Sequence, residues 1–213
     1  THLLTLINQL LDISKIEAGR MTVHEKDFDL YHLLDDVEHM FRLLAAEKQL
    51  QFLFERAPDL PRFIRTDEVK VRQVIFNVLN NAIKFTTEGG VAVRVKTKGS
   101  DGVMEYGNAG REHEHSTTPS LQYANTPILL YVEIEDTGPG IVSEDVERIF
   151  EAFEQTATGY DANEGTGLGL PLSRNFVRLM GGDLTVKSQV GVGSLFSFSI
   201  PVTVLQALDL YES

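Results

Sequence analysis

Apolar positions open the chain at helical spacing: Leu3, Leu4, Ile7, Leu10 and Leu11 form a stripe that Ser14 continues. It runs to about Ala18, where Gly19 supplies a stop. Such a stripe needs a partner in water, either its own domain or a dimer seam. Asp29 is placed to cap a second helix, with Leu30, Leu33, Leu34, Val37, Phe41 and Leu44 on one face. Leu50 to Glu55 and Phe63 to Arg65 read as strands. Asp67 then caps a long third helix whose apolar face is Val71, Val74, Ile75, Val78, Leu79 and Ala82. From Val91 to Lys96 the pattern alternates, with Val91, Val93 and Val95 inward. Periodicity vanishes from about Lys98 to Pro127, a stretch too long for a working loop and expected to be a flexible insertion between two strands. A strand over Leu130 to Glu135 follows, then a short acidic helix from Ser143 to about Phe150 and a polar stretch from Gln155 to Glu164. The run GTGLGL opens a helix that ends near Met180, before Gly181 and Gly182. Strands Leu184 to Ser188 and Leu195 to Ile200 close the pattern. Helices and strands do not alternate regularly, which favours α+β over a doubly wound sheet.

Composition narrows the function. The 213 residues are 42% hydrophobic and 23% charged, enough apolar material for a real core. No apolar run approaches the roughly 18 residues of a membrane helix, and the N-terminus has no signal-peptide pattern. The missing initiator Met predicts a piece of a longer protein. With no cysteine there is no disulfide, thiolate metal site or Cys nucleophile, which is compatible with a cytoplasmic setting. A net charge of −12 speaks against nucleic acid and direct membrane contact as partners. A polyanionic ligand would need glycine loops, a helix N-terminus or a metal to offset that charge.

Three glycine clusters could give such help: Gly138-Pro139-Gly140, Gly165-Thr166-Gly167-Leu168-Gly169 and Gly191-Val192-Gly193. Glycine lets backbone amides approach a phosphate, and the second cluster runs straight into a helix N-terminus. There is no P-loop, and a Rossmann fingerprint fits poorly because polar TGYDANE stands where a buried strand belongs. Asp136 continues the inward series Leu130, Val132, Ile134, so its carboxylate must find a donor or carry a large desolvation cost. It either caps the following turn or accepts from an exocyclic amino group such as adenine N6. Asn77, Asn81 and Lys84 fall at i, i+4 and i+7, on one polar stripe of the third helix. Asn81 offers a neutral oxygen to a hard cation and Lys84 a charge to phosphate, although for Lys84 alone a solvated helix face is the preferred reading. His113 and His115 lack a nearby fixed ligand and read as solvated rather than metal-binding.

Together these residues resemble the motif set of sensor histidine kinases. Asn77-Val-Leu-Asn-Asn81-Ala-Ile-Lys84-Phe85-Thr86 is similar to the family's N box, and Asp136-Thr-Gly-Pro-Gly140-Ile141 to its G1 box. Ile149-Phe150-Glu-Ala-Phe153-Glu-Gln resembles the F box, Gly165-Thr-Gly-Leu-Gly169-Leu the G2 box, and Gly191-Val-Gly-Ser194 the final glycine box. Order and spacing match over roughly residues 20 to 202. The resemblance implies the Bergerat ATP-binding fold: a two-layer α/β sandwich, its mixed sheet covered on one face by three helices, plus an N-terminal helix. It implies ATP and Mg²⁺ as cofactors. Asp136 would bind adenine beside Gly138, with Gly140 and Ile141 shaping the pocket and Ser194 nearby. Asn81 would be the metal ligand, Asn77 would assist near the phosphates, Lys84 would contact phosphate and Phe85 would flank the nucleotide. Residues 155–164 would form the ATP lid, anchored by Phe150 and Phe153 and closed by Gly165, Gly167 and Gly169. Amides of the Gly165, Thr166, Gly167, Leu168, Gly169, Leu170 run would meet the phosphate tail.

By the same resemblance, residues 1–19 would end a dimerisation helix, 20–203 form the catalytic domain with its insertion at 98–127, and 204–213 begin a linker. The partners implied are the parent's own dimerisation and phosphoacceptor domain, a response regulator receiver domain and a second copy of the full-length protein. No catalytic residue is identified, because the family's phosphoacceptor His-acidic pair on a helix is absent: His113-Glu114 and His115 with Pro119 sit in the insertion, on no amphipathic helix. A degenerate nucleotide- or partner-binding module is the alternative, against which intact Asn81, Asp136 and GTGLG argue. A clamp-type ATPase would want a catalytic Glu beside Asn77 and Asn81, where Phe76, Val78 and Asn80 stand instead.

Overall fold

Two of the helices begin where a carboxylate waits for their first amides. The Asp29 side chain accepts from the Tyr31 and His32 amides at the start of α2 (Leu30–Glu47), and that of Asp67 accepts from Lys70 at the start of α3 (Glu68–Phe85). The computed structural model describes residues 2–98, 127–153 and 167–205. It places α1 at His2–Glu17 and α4 at Gly169–Leu179. The strands are β1 (Lys26–Asp29), β2 (Gln51–Arg56), β3 (Phe63–Thr66), β4 (Gly90–Lys98), β5 (Pro127–Asp136), β6 (Asp183–Gln189) and β7 (Gly193–Val204).

The strands make one seven-stranded sheet in the order β1-β3-β7-β5-β4-β2, with β6 also on β7. Only β2 and β4 run parallel; the other pairs are antiparallel, so the sheet is mixed. The long β7 organises it. One edge takes β5 along its length, while the other takes β6 over Gly193 to Ser199 and β3 at Thr203 and Val204. Helices α2, α3 and α4 cover one face, burying the predicted apolar stripes of α2 and α3 except for the partly buried Leu44. The inward residues of β4 and β5 meet them there: Val91, Val93, Val95, Leu130, Val132 and Ile134 are all buried. On the opposite face charges pair across strands, Arg94 with Glu55 and Glu135, and Lys96 with Glu133. That face is wet, and its pairs contribute little each.

One expectation needs correction, and one strand went unforeseen. Ser143 to Phe150 is not an acidic helix but a series of turns ending in a single 3-10 turn, Arg148–Phe150. Its residues pack on the core only through Ile149 and Phe150, too few to sustain a longer helix. The edge strand β1 carries no readable signal, since its sequence is KDFD; it exists because β3 supplies an antiparallel partner. Helix α1 ends before Gly19 as expected, with Ile13 and Ile16 against the core and Leu4, Ile7, Leu10 and Leu11 exposed. Most of the 98–127 insertion, all of the 155–164 stretch and the 204–213 tail beyond Leu205 lie outside the described residues.

Candidate functional site

Across the middle of the sheet, paired residues present one face together. Val93, Ile134, Phe196 and Val186 make an apolar row across β4, β5, β7 and β6. Two residues along, the same four strands align Val91, Asp136, Ser194 and Ser188. The core face therefore turns polar at this end. Asp136 is only 8% exposed, and its Oδ1 accepts from the Gly138 amide at 2.9 Å. Burial raises its pKa above the usual carboxylate value; donation from the Gly138 and Ser194 amides opposes this, and the Glu135 charge adds a smaller upward push. No cation pairs with it among the described residues, so a carboxylate with spare lone pairs faces inward.

The loop after Asp136 is docked on the β6–β7 turn. The Ile141 amide donates to Ser188 Oγ at 2.8 Å and the Gly191 amide to the Pro139 carbonyl at 2.8 Å. Gly140 has φ +72°, and a Cβ there would overlap the Gln189 carbonyl oxygen. Glycine is required on both counts. On the other side lies the C-terminus of α3. A Cβ on Gly138 would stand 3.3 Å from the Phe85 carbonyl and 3.4 Å from Thr86 Oγ1. Thr86 is buried and donates its hydroxyl proton to the Ala82 carbonyl at 2.7 Å.

The stripe on α3 divides in its roles. Asn77 is half-buried, and its Nδ2 donates to the Gly169 carbonyl at 3.3 Å and to Ser173 Oγ at 3.1 Å, tying α3 to the first turn of α4. One turn on, the side chain of half-buried Asn81 has no hydrogen-bond partner among the described residues. Lys84 Nζ lies 5.0 Å from the ring centre of half-buried Phe85. Lys48 Nζ caps α3, donating to the carbonyls of Ile83 at 2.8 Å and Lys84 at 3.0 Å. Leu168, the N-cap residue of helix α4, provides no side-chain cap, and the first turn, at Gly169 and Leu170, carries the amides and positive partial charge of a helix start. Leu168 is buried and Leu170 half-buried against the core.

The Phe153 amide donates to the Gly167 carbonyl at 3.2 Å, so these two residues lie side by side. Phe153 itself does not anchor through its ring, which is 65% exposed on a backbone with φ +67°. The anchoring ring is Phe150, half-buried under the Arg174 guanidinium at 4.4 Å. Arg174 in turn pairs with Glu147 and Asp183. Gly165 and Thr166 lie outside the described residues. A polar groove of about 190 Å³ is lined by Glu147, Phe150, Arg174, Asn175 and Arg178 among others, and by none of the Asp136 row or the α3 stripe. Sequence reasoning passed over Ser188 and Lys48, and gave Thr86 a place in the N box but no role. Nothing in the local spacing of Ser188 and Lys48 marks them; sheet register and helix packing do.

This geometry agrees with what comparison finds. Residues 66–204 match the family described as histidine kinase-, DNA gyrase B-, and HSP90-like ATPase. The hybrid signal transduction histidine kinase B of Dictyostelium discoideum is 36% identical over 94% of this chain and 9% of its own length. The autoinducer 2 sensor kinase/phosphatase LuxQ of Vibrio vulnificus is 34% identical over 94% of the chain and 21% of its own length. The chain thus spans a tenth to a fifth of these relatives. Among solved structures, full-length ShkA in complex with AMPPNP is 28% identical with a TM-score of 0.72, over 97% of this chain and 37% of that one. The nucleotide-free catalytic domain of histidine kinase ThkA is 25% identical with a TM-score of 0.55, over 84% and 97%. With its mixed sheet, its buried carboxylate and its helix starting at the end of a glycine run, the chain belongs to the histidine kinase-, DNA gyrase B-, and HSP90-like ATPase family.

Proposed function

We propose that this chain is the ATP-binding catalytic module of a two-component sensor histidine kinase, a protein-histidine kinase whose acceptor histidine lies on a dimerisation domain. The observation that carries the reading is Asp136, a buried carboxylate with no cation paired to it among the described residues, on the same molecule as a helix, α4, whose N-cap residue supplies no side-chain cap. The carboxylate fits the amino group of adenine, and the first turn of α4 fits the phosphate tail. Gly140 and Ile141 shape the base pocket from one side and Phe85 flanks it from the other. Asn77 holds α3 against α4, which keeps the base end and the phosphate end in register.

Mg²⁺ suits the donor set. No cluster of three or more His, Cys, Asp or Glu able to hold a metal occurs among the described residues. A hard cation that brings phosphate oxygens with it needs only a neutral oxygen such as that of Asn81. Lys84 supplies charge near the same phosphates. When bound, the ion neutralises charge on the phosphates during transfer. The rest of the catalysis is positioning of the γ-phosphoryl toward the acceptor histidine.

In this reading residues 1–19 end the dimerisation helix, 20–203 are the catalytic domain and 155–164 the lid, with 204–213 starting a linker. The full-length protein acts as a homodimer, phosphorylates its own dimerisation domain and passes the phosphoryl to a receiver domain. Its ligand sets the module in the cytoplasm. The test is calorimetric titration with a non-hydrolysable ATP analogue and Mg²⁺ on the wild type and Asp136→Asn. Saturable binding that the substitution abolishes is expected; no binding by the folded wild type overturns the proposal in favour of a degenerate interaction module.

A further inference from the structure

The polar row Asp136, Ser194, Ser188 contains a hydroxyl whose proton is fully assigned by its neighbours. Ser188 Oγ lies 2.8 Å from the Ile141 amide nitrogen, 2.9 Å from the Gly193 carbonyl oxygen and 2.9 Å from Ser194 Oγ. A serine hydroxyl has one proton and two lone pairs. The Ile141 amide can only donate, so it takes one lone pair. The Gly193 carbonyl can only accept, so it takes the proton. The second lone pair is left for Ser194, whose hydroxyl must therefore donate to Ser188. With its proton committed, Ser194 Oγ can offer an incoming base nothing but lone pairs. Its backbone amide is directed at Asp136, its cross-strand neighbour.

From this we infer that Ser188 is a positioning residue for base selection: it locks Ser194 Oγ as a hydrogen-bond acceptor beside the Asp136 carboxylate, making the pocket select a purine with a 6-amino group over one with a 6-oxo group. The inference rests on the reading of Asp136 as the adenine acceptor and adds to it a second acceptor and the residue that sets its polarity. Ser188 itself touches no base. It acts through Ser194 and, by the Ile141 amide, holds the loop that closes the pocket. A 6-oxo purine would bring a carbonyl lone pair against two acceptors, and a buried polar contact of that kind is worth about tenfold or more in affinity.

The experiment titrates ATP and inosine triphosphate, each with Mg²⁺, into the wild type, Ser188→Ala, Ser188→Thr and Ser194→Ala, with a thermal melt of each. The wild type is expected to prefer ATP. Ser188→Ala should lower that preference about tenfold, by freeing the Ser194 proton to serve a 6-oxo group. Ser188→Thr keeps the hydroxyl and should keep the preference, and Ser194→Ala should reduce it as Ser188→Ala does. A merely structural serine would lower the melting temperature and weaken both nucleotides by one factor, leaving the ratio unmoved; that result overturns the inference. If Ser188→Ala does not fold, a ratio unchanged in Ser194→Ala overturns it equally. A wild type that binds both nucleotides alike overturns the adenine reading and this inference with it, whereas a wild-type preference that survives in Ser188→Ala and Ser194→Ala overturns this inference alone.

Discussion

Gly140 sits in the docked loop and Gly191 in the turn that holds it, and replacing each by alanine separates two costs that are usually mixed. Their backbones are nearly the same, with φ +72° and +75°. A side chain at either position carries the left-handed penalty of about 1 kcal/mol. The surroundings differ. At Gly191 a Cβ meets nothing within 4 Å. At Gly140 it overlaps the Gln189 carbonyl oxygen and lies 2.6 Å from its carbon and 2.9 Å from Val190 Cα. These are backbone atoms at the end of a paired strand, and none can rotate aside. Overpacking of that kind adds about 1–3 kcal/mol, for a total of about 2–4 kcal/mol at Gly140. For a chain of this size each kcal/mol lowers the melting temperature by about 2–4 °C. Calorimetry should therefore show a fall of about 4–16 °C for Gly140→Ala and about 2–4 °C for Gly191→Ala. The cheapest relief at Gly140 is to lift the loop, which breaks the Ile141–Ser188 and Gly191–Pro139 hydrogen bonds. Nucleotide affinity should accordingly fall about tenfold or more in Gly140→Ala and stay nearly unchanged in Gly191→Ala. Equal melting temperatures for the two variants would refute the steric argument. Unaltered nucleotide binding in a destabilised Gly140→Ala would refute the role given to loop docking.

Burial raises the Asp136 pKa, so the native state holds that proton to higher pH than the unfolded chain does. Stability from this group is present below the ordinary carboxylate pKa and lost as pH rises through the raised native value. Asp136→Asn should therefore gain stability relative to the wild type between about pH 4 and about pH 7, read by urea unfolding at both; a constant difference would refute it. Asp67 is 2% exposed and accepts from the His24 amide, the Lys70 amide and Lys70 Nζ at 2.9, 3.1 and 2.6 Å. Burial pushes its pKa up, but these donors and the Lys70 charge outweigh it and hold the pKa below the usual value. Asp67→Ala strands the buried Lys70 charge and should cost about 3–5 kcal/mol in urea unfolding, with faster proteolysis at residues 20–25. Asn81→Ala should abolish the gain in nucleotide affinity that Mg²⁺ brings while sparing metal-free binding, as calorimetry with and without the ion would show; an intact Mg²⁺ effect removes Asn81 from the metal site.

Helices α2 and α3 were legible because their information is local. A capping aspartate stands one residue before each, and each apolar stripe has the 3.6-residue period that covers one face. The inward direction of Asp136 was equally legible, since a strand alternates and Asp136 stands in phase with Ile134. Motif order placed the glycine loops and the N-box stripe without any knowledge of the sheet. The 143–150 segment misled because acidic residues suit a helix start, whereas the segment offers the core only Ile149 and Phe150. Strand β1 was invisible because KDFD acquires its conformation from β3 rather than from its own residues.

Within the site the same division holds between what is local and what is not. Chain spacing alone determined that Asn77, Asn81 and Lys84 share a helix face and that a carboxylate points into the core at position 136. Only the tertiary structure decided that Asn77 spends its amide on α4, that Phe150 rather than Phe153 supplies the buried ring, and that Ser188 stands in one row with Ser194 and Asp136. The physical reason is that a residue's period depends on its own backbone and can be read along the chain. A hydrogen-bond partner 47 or 92 residues away depends on strand register and helix docking, which form only when the apolar faces find one another.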